Sequence, residues 1–271
     1  MKTEMYNNQT PSLHENDNVM MELVIASKFV EYIRNKPYRI AKNTKNGLIW
    51  EPEDGPVTGW NERLNNYEWG HKNWQETSKV LEEFTVRLDV IESHYEAKGE
   101  TNSFLDEVKT IYDDVKEWGN PKGRNRKAED VATCLRSLWN GLPNEVDSTL
   151  TKLYAFSRPD HYIIYDSRVA TAILSIAEDI YRFRHKNGKR INTIKTFQAT
   201  YGDLGTYGGS GGTRNRGYRS KWPVAYKKVA AQLDANRLCA AIVKVLNRQE
   251  EDRRNDWTMR QVEAVLFMEG Y

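Results

Sequence analysis

The sequence has few cysteines, and its histidines are not grouped. Its two cysteines, Cys134 and Cys239, lie far apart and without CxxC spacing. Two thiols are too few for a cysteine-ligated iron–sulfur cluster, and their scarcity is typical of a reducing cytoplasm, where both are expected to be buried. The five histidines show no metal-ligand spacing, so the sequence predicts no metal site and no cofactor.

Long apolar runs are also missing. No run approaches the roughly 18 residues that would suggest a membrane span. The first residues, MKTEMYNNQTPSLHEN, have no apolar centre of the kind found in signal peptides. We therefore expect a cytoplasmic protein with a disordered tail over residues 1–18 and a single helical domain over residues 19–271.

Charge is abundant and unevenly distributed. Charged residues make up 29% of the chain, with a net charge of +2. Residues 121–228 contain 20 Lys and Arg against 9 Asp and Glu, whereas the rest contains 20 against 29. Together with eight Trp and fifteen Tyr, this segregation indicates a nucleic-acid partner, because bases stack on aromatic rings. The alternative is a set of solvated helix faces.

Apolar spacing predicts a mainly α protein with little β structure. A KNG turn predicts a hairpin within 38–50. The basic, Gly- and Pro-rich segment 119–127 predicts a boundary between two helical lobes, about 19–120 and 121–271, that share a cleft. Helices are expected at 19–34, 75–98, 103–118, 128–139, 148–156, 167–186 and 191–199, with two more within 224–247 and a last one at 257–270.

Residues 142–173 carry the most informative pattern. In order, they contain a Leu-Pro pair, a tight turn, an apolar helix, a helix break and a short extended piece that ends at Asp166. Ser148 or Asp147 is expected to cap the apolar helix, and Asp166 stands at the N-terminus of a long helix.

This order resembles the helix-hairpin-helix DNA glycosylases, whose Leu-Pro-Gly-Val-Gly-x-(Lys/Ser)-Thr-Ala hairpin precedes an apolar helix and an Asp-x-x-Val motif. Residues 142–143 match the Leu-Pro pair, 148–149 the (Lys/Ser)-Thr pair and 166–169 the Asp motif, within about 32 residues. Residues 144–146, Asn-Glu-Val, replace the Gly-Val-Gly turn, so the hairpin is degenerate and lacks the glycines that allow its backbone to approach a DNA phosphate closely.

The resemblance implies that Asp166 is the catalytic carboxylate of a DNA glycosylase. Cleavage of the N-glycosidic bond develops positive charge at C1′ of the sugar, which a fixed carboxylate stabilises while it orients a water. Family members with Ser at the position of Ser148 usually only hydrolyse, which implies a monofunctional enzyme that leaves an abasic site. Lys152, one turn further on, would still be within reach of DNA. The local alternative is that Asp166 and Ser148 are ordinary helix caps.

Residues 201–223 form a second candidate site. Five glycines between Gly205 and Gly212 are followed by basic residues that alternate with Tyr218 and Trp222. Such a segment could follow a phosphate backbone, and the alternative is a solvated loop. The predicted contacts to a DNA duplex are Ser148, Thr149, Lys152, Arg168, Arg214, Arg216, Arg219 and Lys221.

A base flipped out of the duplex needs an aromatic surface on which to stack. The candidates for this base pocket are Trp69, Trp139 and Tyr165, each of which could instead belong to the core. Two other functions stay open: a metal-dependent nuclease, in which Pro159-Asp160 and Asp166 form the site, and a DNA-binding module without catalysis. The resemblance extends to bacterial antiphage glycosylases that act on modified phage cytosine, and repair of a damaged base is the other expected role.

Overall fold

The described part of the chain is mainly α-helical, as the apolar spacing predicts. The computed structural model describes residues 13–37, 56–70, 72–119, 122–181, 184–186, 189–191, 193–206, 220–225, 227–249 and 256–270. Within these ranges lie ten helices: α1 (Leu13–Asn35), α2 (Trp60–Asn65), α3 (Trp74–Lys98), α4 (Asn102–Gly119), α5 (Ala128–Trp139), α6 (Leu150–Ser157), α7 (Ser167–Tyr181), α8 (Ile194–Thr200), α9 (Val229–Leu246) and α10 (Met259–Glu269). Strands β1 (Arg184–Lys186) and β2 (Lys189–Ile191) pair antiparallel.

Local sequence signals explain several helix ends. Asn73 begins α3 with a capping box, in which its side chain accepts from Glu76 N and the Glu76 side chain accepts from Asn73 N. Thr258 begins α10 with the same arrangement. The left-handed backbone of Gly99, with φ of 72°, ends α3 at the residue the sequence indicates.

The helices enclose two hydrophobic cores. The first core lies among α1, α2, α7, α8, α9 and α10, and the second among α3, α4, α5 and α6. In the first, Phe29 stacks on Phe197, with ring centroids 5.9 Å apart, and in the second Phe84 stacks on Phe156 at 5.2 Å.

The grouping of helices in the two cores contradicts the boundary between lobes that the sequence predicts near residue 120. Helix α1 packs against α9 and α7 rather than against α3 and α4, because its buried face, which includes Ile25 and Ile33, faces the C-terminal helices. Helices α3 and α4 instead pack with α5 and α6, so the basic segment 119–127 joins two halves of one core.

Several element ends also differ from the sequence predictions. Helix α1 begins at Leu13, inside the expected disordered tail. Helix α7 ends at Tyr181, where the backbone N–H and hydroxyl of Thr193 both donate to Tyr181 O, and the short hairpin follows. Helix α9 is one helix instead of two, and α2 was not anticipated. The hairpin predicted within 38–50 lies outside the described residues.

Both cysteines are buried, as expected. Among the described helices, none is both long enough and apolar enough to cross a bilayer.

Candidate active site

Asp166 follows a buried extended segment, residues 162–165, that joins α6 to α7. Among the described residues this segment pairs with no strand, and four of its polar backbone atoms bond to side chains from three helices. The contacts are Ile163 N to Asn236 Oδ1 (3.1 Å), Gln232 Nε2 to Ile163 O (3.0 Å), Ile164 N to Glu263 Oε2 (2.7 Å) and Tyr165 N to Thr151 Oγ1 (2.8 Å). The position of Asp166 is therefore fixed by α6, α9 and α10 together.

The two oxygens of the Asp166 carboxylate differ in their contacts. Oδ1 accepts hydrogen bonds from Arg168 N (2.9 Å) and Val169 N (3.0 Å), and so caps α7. Oδ2 accepts no hydrogen bond from any residue within the described ranges. A capping role and a chemical role are thus compatible, since each uses a different oxygen.

Asp166 lines a cavity between the two hydrophobic cores. The cavity is lined by five aromatic side chains, Tyr67, Trp69, Trp74, Trp118 and Phe267. It is also lined by five polar side chains, Thr77, Lys152, Asp166, Arg260 and Glu263.

Lys152 enters the cavity from α6 and is almost fully buried. Its Nζ donates to Ser148 O at 2.6 Å. Desolvation lowers the pKa of this amine, and the nearby carboxylates of Asp166 and Glu263 oppose the shift. Gly119 leaves the necessary room, because a Cβ at that position would lie 2.5 Å from Lys152 Cε.

Glu263 and Arg260 approach from α10, three residues apart. Glu263 Oε2 accepts from Ile164 N and from Arg260 Nη1. Burial raises the pKa of the Glu263 carboxyl to about 7, with Arg260 acting in the opposite direction. Two further polar atoms on residues that line the cavity, Thr77 Oγ1 and Arg260 Nε, are buried and have no hydrogen-bond partner in the part of the chain that the structure describes.

The cavity brings together three residues that the sequence analysis singled out separately. Asp166, Lys152 and Trp69 all line it. Arg168 lies next to it, with its guanidinium 4.9 Å from the ring centroid of Trp69 and 4.6 Å from that of Phe267. Arg168 therefore supports the aromatic wall beside Asp166.

Two predicted base-pocket residues lie elsewhere. Trp139 packs against the second core, where its Nε1 donates to Ser157 Oγ at 2.9 Å and its ring lies against Tyr95. Tyr165 is fully buried in the first core. Successive side chains of an extended segment point to opposite sides, so Tyr165 faces away from the cavity that its neighbours Ile164 and Asp166 line.

In the segment 142–149, which resembles the glycosylase hairpin, the structure contradicts one predicted DNA contact. The side chain of Thr149 is only 1% exposed, so it cannot reach a duplex. The cap of α6 is Asp147, whose Oδ1 accepts from Thr149 N (2.8 Å) and Leu150 N (2.9 Å). The Arg126 guanidinium, which donates to Asp147 and Glu145, holds the pKa of the Glu145 carboxyl below its usual value. Ser148 is half-buried, and its backbone carbonyl holds Lys152.

The second candidate segment is only partly described. Arg214, Arg216 and Arg219 lie outside the described residues, whereas Lys221 is exposed and lies apart from the cavity. Trp222, which was expected to stack on bases, packs edge-on against Phe197. Its Nε1 donates to Glu178 Oε1 at 3.1 Å.

The sequence analysis missed several residues of the cavity. Thr77 and Trp118 belong to α3 and α4, which the sequence did not connect with Asp166. Arg260 and Glu263 carried a signal that could have been found. Together with Phe267 they occupy one face of α10, at positions i, i+3 and i+7, where a mostly apolar buried helix would be expected to carry apolar side chains.

Comparison with known proteins adds no relative: no protein-family model, curated protein or solved structure matches this chain. Within the described ranges, no three His, Cys, Asp or Glu side chains are grouped so that they could hold a metal ion.

Proposed function

We propose that this protein is a DNA glycosylase that hydrolyses the N-glycosidic bond of a modified or damaged base. One observation carries the proposal: at the edge of an aromatic cavity between two helical cores, Asp166 keeps one carboxylate oxygen that accepts no hydrogen bond from the part of the chain that the structure describes. A carboxylate fixed at a helix N-terminus next to aromatic side chains is the arrangement that this reaction needs.

In the proposed reaction, the aromatic side chains of the cavity bind the base and the carboxylate of Asp166 stabilises the charge that develops on the sugar. The target nucleotide leaves the duplex, and its base enters the cavity against the rings of Trp69 and Trp118. As the bond to the base breaks, Oδ2 of Asp166 stabilises the positive charge at C1′ and orients the attacking water. The free base remains in the cavity, and the DNA keeps an abasic site.

Lys152 has a supporting role in this proposal. Its amine is held by Ser148 O in the cavity that Asp166 lines, which places a donor and partial positive charge beside the base. The amine favours departure of the base, whose leaving nitrogen gains negative charge. We place the enzyme in the cytoplasm, acting either in base-excision repair or in defence against phage DNA with modified bases.

The direct test uses the purified chain on a panel of duplexes that carry oxidised, alkylated, mismatched or phage-type modified bases. Incubation in EDTA, followed by electrophoresis with and without alkali, should give strand breaks that appear only after alkali treatment. Breaks that require Mg²⁺ would instead indicate a nuclease. Tight binding with no base release from any duplex would indicate a binding module.

A further inference from the structure

The polar side of the cavity presents an ordered pattern of hydrogen-bonding groups. Glu263 uses Oε2 for Ile164 N and Arg260 Nη1, whereas its Oε1 accepts no hydrogen bond from any described residue. Arg260 uses Nη1 for Glu263, whereas its Nε has no partner among the same residues. Both residues line the cavity from one face of α10. Among the described residues, this helix face therefore carries one acceptor, Glu263 Oε1, and one donor, Arg260 Nε, that are not used within the protein.

Thr77 provides a third unsatisfied group. Its side chain is 1% exposed, lines the cavity and has an Oγ1 without a hydrogen-bond partner in the described ranges. A buried polar atom left without a partner costs about 1–3 kcal/mol. Two such atoms, Thr77 Oγ1 and Arg260 Nε, on residues that line one cavity indicate a polar ligand that supplies their missing partners.

An acceptor and a donor on two side chains that contact each other match one kind of base edge. Cytosine and adenine each carry an exocyclic amino group, which donates, beside a ring nitrogen, which accepts. In uracil and hypoxanthine an oxo group and a ring N–H replace them, so both positions are reversed. The oxo oxygen would then face the Glu263 carboxylate, and the ring N–H would face Arg260 Nε. The Thr77 hydroxyl can donate or accept and does not discriminate.

We propose that the cavity selects bases of the amino type, cytosine or adenine, over their oxo counterparts uracil and hypoxanthine, with Glu263 accepting from the amino group and Arg260 donating to the ring nitrogen. This inference rests on the proposed function, since it names the class of base that the same site takes. A substituent at C5 of cytosine leaves the selected edge unchanged, so modified cytosines belong to this class.

The test measures binding of four free bases to the full chain by isothermal titration calorimetry at pH 8. At that pH the Glu263 carboxyl, whose pKa burial raises to about 7, is mostly ionised. Cytosine should bind at least about tenfold more tightly than uracil, or adenine than hypoxanthine, because the oxo base leaves two buried groups mismatched. Equal affinities within both pairs, preference for the oxo base, or no binding of any of the four would overturn the proposal.

Two variants test whether Glu263 is the residue that distinguishes amino bases from oxo bases. Glu263→Gln keeps an acceptor for Ile164 N but presents an amide whose N–H₂ and oxygen can exchange places, so the ratio between amino and oxo base should fall towards one. Glu96→Gln, an exposed substitution on α3 outside the cavity lining, should leave the ratio unchanged. A ratio unaffected by Glu263→Gln would contradict the assigned role.

This readout is independent of catalysis. Loss of base release from every duplex would contradict the glycosylase proposal while leaving the base preference measurable. Conversely, an active enzyme that binds the four bases equally would contradict only the present inference. Should Glu263→Gln fail to fold, as judged by circular dichroism, the comparison of the four bases on the unsubstituted chain still decides the matter.

Discussion

At the scale of single residues, Asp166 has a structural task beside the chemical task that we propose for it. Its Oδ1 caps α7 through two backbone amides, and the substitution Asp166→Asn keeps an acceptor at that atom. We expect Asp166→Asn to change the free energy of unfolding little, because Asn and Asp are comparable helix caps, whereas Asp166→Ala should cost about 1 kcal/mol. Urea unfolding of both variants measures the difference. If Asp166→Asn and Asp166→Ala lowered the free energy of unfolding equally, the hydrogen bonds at Oδ1 would be unimportant as a helix cap.

The raised pKa of the Glu263 carboxyl predicts that the stability of the protein depends on pH. Its pKa rises from 4.5 in the unfolded chain to about 7 in the folded protein, so the unfolded chain binds fewer protons between these values. Ionisation of this group therefore makes folding less favourable as the pH rises from about 4.5 to about 7. The variant Glu263→Gln lacks this effect, and its stability relative to the unsubstituted chain should increase between pH 5 and pH 8. A difference that is constant across this range, measured by urea unfolding, would contradict the buried position of the carboxyl.

At the scale of elements, the segment that leads to Asp166 depends on α9. Asn236 Oδ1 accepts from Ile163 N and from Gln232 Nε2. The substitution Asn236→Leu removes the acceptor and leaves Ile163 N buried and unpaired, at a cost of about 1–3 kcal/mol. We expect lower stability and slower base release together, since Asp166 loses one of its supports. Lys244→Leu, on the exposed face of the same helix, is the control and should change neither.

Sequence periodicity predicted most elements but not their partners. The long helices α3, α4 and α5 could be predicted because apolar spacing and caps are local properties. Asp166 and Lys152 could be found from a local pattern in the chain. The side chains of α4 and α10 that line the cavity could not be predicted, because no local sequence pattern shows which distant helices meet beside Asp166. Trp139 shows the converse: an aromatic residue next to a motif in sequence packs into a core in space.

At the scale of the whole molecule, α1 belongs to the same core as the C-terminal helices. Phe29 is fully buried there and stacks on Phe197 of α8. We expect Phe29→Ala to lower the free energy of unfolding by about 3–5 kcal/mol, the usual cost of a large cavity in a core. Val86→Ala, at an exposed position of α3, should stay within about 0.5 kcal/mol. A small effect of Phe29→Ala in thermal or urea unfolding would contradict the assignment of α1 to this core.

The arrangement of the two cores also explains where the site lies. Lys152 and Thr77 come from helices of the second core, and Phe267 from the first. In the proposed reaction, the cavity between them receives the base while the sugar stays near Asp166. The central claim is that the carboxylate of Asp166 performs the bond cleavage in this cavity.

The measurement that tests this claim most directly is the single-turnover rate of base release, detected by mass spectrometry of the free base, on the duplex that proves active. We predict that Asp166→Asn lowers this rate by at least about a hundredfold, because a neutral amide cannot stabilise the charge at C1′. Asp160→Asn, a matched change at an exposed aspartate six residues earlier, should leave it unchanged. A rate that survives Asp166→Asn, or that falls equally with Asp160→Asn, would contradict the account.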